Sequence, residues 1–535
     1  MTAYANTIAF EYIVQGARHP GDVAAGRGTL MGAVIGLPGR SSNNVRFVAA
    51  PDIPAAMQSY AGCTRMYRDA MFARVVERRH QFLHYPYGDL RTMCALVRRA
   101  TGTSPIPSFD WAQPMPATTV LEATENVAML LEEIHVGSAW QAVYCAGQQG
   151  IYQHIELPVI EPTCDMIMLG MRVDRTRLES IFDQTALIQA RITLLATQLL
   201  GREVNFHNRG HLASFLFHEL RLPVYECCSD GSPRLTIDVL ERLRDRHTIV
   251  PHVIAWLREQ HKEIACEQLF AQITEANRIH PWLDPLGTDT GRFSCRCPNL
   301  QGLHSDLLGV FVPDSADSFV EADFDQYELR ILAELSQDQT MQGAFREGHD
   351  LHLITASRVL GRHSTSISSL EREQFGKRLN FEMIYGATPR GVANRLDVDV
   401  TYAQHLINQY FATFGRVAEW SESARSVTRS HGYSQTHFGR RRQITAIGPS
   451  ADRMAISSVI QGTAADAMKL VILGLSSRFK MCMTIHDSIL LAVPRGTVEA
   501  AKFEIQHAMS RLAEWPTLSL AVSIADGMTW GACRD

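Results

Sequence analysis

Several familiar signposts are missing from this chain. No cysteine pair has the CxxC spacing of a zinc or redox site. The eleven cysteines are scattered, and Cys227 with Cys228 and Cys295 with Cys297 stand too close for an easy disulfide. Reduced thiols in a cytoplasm are the expectation. The start, MTAYANTIAFEYIVQG, has no basic region ahead of a long apolar core, so no secretory signal is expected. No stretch of sequence approaches the apolar length of a membrane span, which argues against a membrane partner. Positive charge is not in excess either. Lys and Arg number 51 against 56 Asp and Glu, a net charge of -5 that does not advertise a nucleic-acid binder. Global charge is a blunt test, because an acidic exterior can hide a local basic track.

What is present is an ordinary globular composition, 46% hydrophobic and 20% charged, over 535 residues. That length accommodates several subdomains and a large core. Three stretches stand out. In ADFDQYELRILAEL, Phe319 and Val320 lead in as strand formers, and Leu329, Leu332 and Leu335 recur at helical spacing. A strand therefore ends near Asp323 and a helix follows, leaving a carboxylate at a rigid strand end where oxygen ligands can hold a hard cation. An isolated Asp there would more often be a helix cap. In REQFGKRLNFEMIYG, Lys377, Phe381 and Tyr385 sit four apart, so a helix stacks a cation and two aromatics on one face. Gly386 and Pro389 stop that helix. By itself such a stripe is usually core with a snorkelling Lys. In MTIHDSILLAV, two apolar arms flank a tight turn carrying His486 and Asp487.

Taken together and in this order, DFDQYELR, KRLNFEMIYG and IHDS resemble motifs A, B and C of the family A DNA polymerases. The supporting segments agree: IELPVI, NFHNRGHLASFLFHELRLP, DTGRFSCRCPNLQG, FREGHDLHLITA, FGRRRQI and QGTAADAMK. The resemblance implies an α/β (α+β) right-hand fold of palm, fingers and thumb. It implies template-directed addition of dNTPs to a primer–template DNA by a monomer. Asp323, Asp487 and the backbone carbonyl of Phe324 would hold two Mg2+ ions, for which Mn2+ can substitute. Lys377 would contact the triphosphate and protonate the leaving pyrophosphate. Phe381 would stack near the sugar and Tyr385 border the templating base, with Gln326 and His352 also at the nucleotide. Glu328 would exclude a ribose 2′-hydroxyl, although a Glu opening a helix commonly serves the dipole. Arg292, Arg440, Arg441, Arg453, Gln461 and His486 would face DNA, with Gln461 and Arg292 testing minor-groove acceptors. Three consecutive arginines are, by themselves, more often a solvated turn.

The implied organisation runs from an exonuclease-like (ribonuclease H-like) α/β domain over 1–155, through thumb and first palm segment over 156–310 and palm over 311–345, to fingers over 346–425 and palm over 426–535. Departures from the family pattern mark the N-terminal region. Its D-x-E aligns with Glu11-Tyr12-Ile13, Asp89 keeps the second-motif acid, Tyr144 is retained, and Gln148 stands where a last aspartate belongs. Too few acids remain for proofreading. Motif B has Glu373 in place of an arginine, with Arg372 and Arg378 close by, so a register adjustment or a substitute cation is expected. Asp325 and Tyr327 replace Ser and Ile. Ser488 replaces a glutamate taken as supporting, so a glutamate there should be tolerated. The lack of a 5′-nuclease segment suggests a phage replicase or a specialised repair enzyme. Rival readings are a single-subunit RNA polymerase, a catalytically weak DNA-binding scaffold and an active nuclease.

Overall fold

The computed structural model describes residues 7–36, 45–60, 63–81, 87–103, 117–136, 138–511 and 520–534. They divide into two compact units. The first comprises residues 1–170, 280–296 and 315–526, and the second 171–279, 297–314 and 527–535.

The N-terminal part of the first unit is built on a mixed sheet. Strands Thr7–Gln15, Thr29–Gly36 and Val45–Ala49 run antiparallel to their neighbours, and Thr64–Tyr67 and Tyr87–Asp89 add on the other side in parallel. Strand Thr7–Gln15 is buried along nearly its whole length, as expected where both faces are covered. Periodicity predicts helices over 66–80 and 87–99. The structure instead places a short strand ahead of each, with the helices at Ala70–Arg79 and Leu90–Thr101. The boundaries are set by Asp69 and Asp89, whose carboxylates accept the backbone N–H of Phe72 and Thr92 as N-caps. Apolar runs in strand and helix merge on the page, and the capping aspartates are what separate them.

A second sheet in the same unit has four strands. In spatial order they are Lys480–Ile485, Ser488–Pro494, Asp317–Phe324 and Val522–Gly527. Helix Pro449–Ser476 has 28 residues and is largely buried. By length and composition it is apolar enough to cross a membrane, which corrects the expectation that no stretch reaches that length. Its Asp466 and Lys469 are fully buried and ion-paired inside the unit, which identifies a core helix.

That pairing is a four-residue network. Arg440 bonds Asp466 and Glu156, and Lys469 bonds Glu156. Two acids and two bases cancel, so the buried charges are compensated, as burial of ions demands. Burial lowers the Lys469 pKa to about 8, with Glu156 opposing. Gln148 adds a neutral clasp. It donates to the carbonyl of Gly439 at 2.9 Å and accepts the N–H of Arg441 at 3.1 Å.

The second unit is mainly helical. Its helices Arg175–Leu200 and Val250–Phe270 pack together, and Phe206 stacks on Trp256 in a core with Phe215, Leu240, Val253 and Leu257. Helix Arg175–Leu200 is capped by the Asp174 carboxylate and ends at Gly201 in the left-handed region. The stretches 239–247 and 253–279 are shorter helices than periodicity predicts. The first is Ile237–Arg242, and the second stops at Phe270 before the strand Arg278–Ile279.

Candidate active site

The aspartates singled out by sequence lie on neighbouring chain segments at one end of the four-stranded sheet. Strand Asp317–Phe324 pairs antiparallel with Ser488–Pro494, placing Asp323 opposite Ser488. The Phe324 N–H donates to the Asp487 carbonyl at 3.3 Å. Strands Lys480–Ile485 and Ser488–Pro494 form a hairpin whose two-residue loop is His486 and Asp487. His486 has φ +52°, a left-handed conformation that short hairpin loops require and that His tolerates better than most residues. Asp323 and His486 are exposed and Asp487 is half-buried, so both carboxylates are reachable from solvent. Among the described residues no group of three or more His, Cys, Asp or Glu forms a metal cluster. Two aspartates on paired strand ends nevertheless suit a hard divalent cation, with substrate oxygens and water completing its shell.

The chain leaves the sheet through a tight corner. Gln326 takes a left-handed conformation at φ +52° and ψ +41°, and its buried side-chain oxygen has no protein partner. Such a conformation costs roughly 1–3 kcal/mol and persists where surroundings enforce it. Here the Asp325 N–H bonds the Ala521 carbonyl at 3.0 Å, and Arg330 Nε bonds the Asp325 carbonyl at 2.8 Å. The two replacements in this motif are structural in their contacts. Asp325 accepts from the Ser523 hydroxyl at 2.6 Å. Tyr327 is buried, stacks on Phe324 at 4.4 Å, and donates to the Ala464 carbonyl at 3.2 Å.

Glu328 opens the following helix, is 9% exposed, and is ion-paired to Arg292. Burial raises its pKa, with Arg292 opposing and nearby Asp487 adding to the rise. Arg292 lies in the loop joining the paired strands Trp282–Asp284 and Ser294–Arg296. Burial raises the Tyr385 pKa, nearby Glu328 adds to the rise, and Arg292 and Gln461 oppose it. Four residues from four separate segments therefore form one polar cluster next to the aspartates. Sequence reasoning places Arg292 and Gln461 against DNA; in the structure they join Glu328 and Tyr385 as well.

The aromatic face is formed as its spacing predicts. Phe381 and Tyr385 are 38% and 39% exposed, and the Lys377 side chain is 45% exposed and 3.5 Å from Glu373. Leu379, Met383 and Ile384 are buried behind them. The helix ends at Ile384, Gly386 has φ +73°, and Pro389 opens the next helix under a Thr388 cap. A Cβ on Gly386 would lie 2.7 Å from the Arg453 Cα, so this exit and helix Pro449–Ser476 approach as only glycine allows. Arg453 itself is exposed.

Residues Arg372–Arg378 wind as a π-helix. Its i→i+5 repeat sets Arg372 one wide turn from Lys377. Arg372 Nε bonds Asp350 at 2.5 Å. Asp350 also caps helix Leu351–Leu360 through the N–H groups of His352 and Leu353. His352, expected at the nucleotide, is only 5% exposed and its Nδ1 lies 2.9 Å from Asn380 Nδ2. Burial lowers its pKa to about 4, so the ring is neutral and accepts from the amide. Its visible contact supports the motif B helix.

The arginine triplet is where sequence reasoning needs most correction. Arg440, expected at DNA, is 2% exposed and bound to Glu156 and Asp466. It faces the interior because its two acid partners lie 284 and 26 residues away in sequence, invisible to any local pattern. Arg441 is half-buried, bonded to the Ala146 carbonyl at 3.0 Å and set over the Tyr433 ring. Arg442 reaches Ser458 and Asp289.

Among the described residues, the N-terminal acids do not assemble a comparable centre. Asp89 is 2% exposed, and its oxygens accept from Ala70 N at 3.0 Å and from the Thr92 side chain and backbone. Burial raises its pKa to about 7, and Asp69 adds to the rise. Glu11 is likewise raised to about 7 by burial, despite Arg68 at 3.4 Å. Gln148 is fully buried in the clasp described above. Of HYPYGD, the first three residues lie outside the described residues.

Comparison with known proteins follows this geometry closely. Residues 175–532 match the profile of "DNA polymerase family A". DNA polymerase I of Chloroflexus aurantiacus is 30% identical over 490 residues, covering 83% of this chain and 52% of the relative. DNA polymerase I of Caldicellulosiruptor bescii is 30% identical over 408 residues, covering 71% and 47%. The thermostable DNA polymerase I of Thermus aquaticus is 30% identical over 408 residues, covering 72% and 49%. The chain thus spans about half the length of these relatives. Among solved structures, the POL domain of Pol1 from M. smegmatis, in complex with DNA primer-template and dNTP, superposes with a TM-score of 0.85. That match covers 100% of this chain and 97% of the other at 21% identity, and it establishes the shared fold.

Proposed function

The chain belongs to DNA polymerase family A, and from that premise we propose that it extends a primer 3′-hydroxyl with deoxynucleotides chosen by a template strand. The observation that carries this reading is that Asp323 and Asp487 lie on neighbouring chain segments at a solvent-facing sheet end. The exposed face of Lys377, Phe381 and Tyr385 in the same unit agrees with it.

Asp323, Asp487 and the Phe324 carbonyl would hold two Mg2+ ions. Bound there, the ions would lower the pKa of the primer hydroxyl and stabilise the charge of in-line phosphoryl transfer. The remaining tasks fall to side chains. Lys377 offsets triphosphate charge and donates a proton to the leaving group. Arg372, one π-turn away, is the substitute for the arginine missing at Glu373. Phe381 offers its ring to the sugar and Tyr385 borders the templating base. Glu328, ion-paired to Arg292, fills the space a ribose 2′-hydroxyl would need, favouring deoxynucleotides over ribonucleotides. Arg441, Arg453, Gln461 and His486 face primer–template DNA, and Arg440 supports the Arg441 segment from within.

The N-terminal sheet domain is proposed as an exonuclease-like scaffold without proofreading. Gln148 and Asp89 are committed to clasp and cap, which removes two positions from any metal centre. The second unit is proposed as the thumb.

Primer extension with Mg2+ and each dNTP in turn tests the assignment. Templated addition of the complementary deoxynucleotide is expected. A primed template that is bound but never extended would replace the reading with a DNA-binding scaffold. A 3′-labelled strand shortened in an Asp89-dependent manner would restore the nuclease.

A further inference from the structure

The serine in the motif C turn is not simply a lost acid. Ser488 is 3% exposed, and its hydroxyl donates to Glu321 at 3.0 Å, the Ile485 carbonyl also lying 3.1 Å away. Glu321 belongs to strand Asp317–Phe324, two residues before Asp323, and is 5% exposed. Residues two apart on a strand share a face. Asp323 pairs directly with Ser488, and Glu321 pairs with Leu490. Glu321 is thus the diagonal cross-strand neighbour of Ser488, at a separation that a long side chain can span. A glutamate at 488, expected from sequence to be tolerated, would instead have to enter the volume that the Glu321 carboxylate already fills.

Resting on the polymerase reading, we propose that Glu321 is a positioning residue that supplies, from motif A, the carboxylate absent from motif C. It stands behind Asp323 on the same strand face, adds a third negative charge to the cation-binding end, and fixes the Asp487 turn through Ser488. It does not join the two aspartates in a three-ligand cluster. Its effect on a cation is therefore through the field and through the orientation of the turn.

The proposal requires a swap. Glu321→Gln keeps an oxygen to accept from Ser488 and removes only the charge. Ser488→Glu alone sets two carboxylates together in a buried space. Glu321→Ser combined with Ser488→Glu returns one carboxylate and one hydroxyl to the pair. Binding of Mn2+, read as loss of the free-ion electron paramagnetic resonance signal, is measured on the full chain with a dideoxy-terminated primer–template and the next dNTP, so that nothing turns over. Melting temperature is recorded for each variant.

Removing one charge near a divalent ion should weaken Mn2+ binding by roughly tenfold in Glu321→Gln, at unchanged melting temperature. Ser488→Glu should melt below the parent, and the double swap should regain the melting temperature and bind Mn2+ within about threefold of the parent. Parent-like Mn2+ affinity in Glu321→Gln would overturn the proposal. So would a Ser488→Glu protein as stable as the double swap. A parent that binds Mn2+ but never extends a primer would instead sink the polymerase reading and leave the carboxylate exchange standing.

Discussion

Arg440→Met is the perturbation that best separates two uses of a basic loop. A phosphate-binding arginine is exposed, and its loss costs DNA affinity but little stability. In the structure the Arg440 Nε lies 2.7 Å from Asp466, a terminal nitrogen bonds Glu156, and both acids are fully buried. With the guanidinium gone, Lys469 can still balance Glu156, but Asp466 keeps only the Thr436 hydroxyl at 2.9 Å among its polar contacts here. Orphaning one buried charge in this way costs about 3–5 kcal/mol. In a unit of roughly 400 residues unfolding cooperatively, that corresponds to a melting temperature lowered by about 4–6 °C. Adding Asp466→Asn to Arg440→Met removes the orphan and should recover part of the loss. Calorimetry of parent, single and double variants measures both effects. DNA affinity is then measured between low and moderate salt. A lost phosphate contact would reduce the magnitude of the slope of log K against log salt by about 1. The expected result is an unchanged slope with a lowered melting temperature. An unchanged melting temperature with a shallower slope would refute the interior role of Arg440.

Further outcomes are expected elsewhere. Asp323→Ala and Asp487→Ala should each abolish primer extension with DNA affinity within about twofold of the parent; retained extension in either would remove that residue from the cation site. Glu328→Ala should admit ribonucleotides, raising their incorporation relative to deoxynucleotides by at least about tenfold, and an unchanged ratio in single-nucleotide extension would end its role as a gate. Glu11, held at about 7 by burial, keeps a proton between its ordinary value near 4.3 and about 7 in the folded state while the unfolded chain has lost it. Its contribution to stability is therefore full at lower pH and is lost as pH rises through about 7. Glu11→Gln should shrink the difference in melting temperature between pH 5 and pH 8; a difference that stays the same would contradict a buried, proton-holding Glu11.

Much of the site could be read from the linear order of residues because it rests on local structure. An apolar run followed by Asp323 and a helical repeat is enough to set that aspartate at a strand end. Four-residue spacing is enough to put Lys377, Phe381 and Tyr385 on one face, and a pair of apolar arms is enough to put His486 and Asp487 in a turn. The strand-to-helix boundaries at Asp69 and Asp89 were not legible, because periodicity ran each strand into the helix that its aspartate caps. The folded structure decided what each charge is used for. Arg440 looks like its neighbours in a basic triplet, and only the arrival of Glu156 and Asp466 turns it inward. Arg292 becomes a partner of Glu328, His352 becomes a neutral support for Asn380, and the π-turn brings Arg372 toward Lys377. Ser488 reads as a missing acid until Glu321 is found against it. Periodicity reports on neighbours along the chain. The fate of a charge depends on burial and on partners as many as hundreds of residues away, and those distances exist only once the chain has folded.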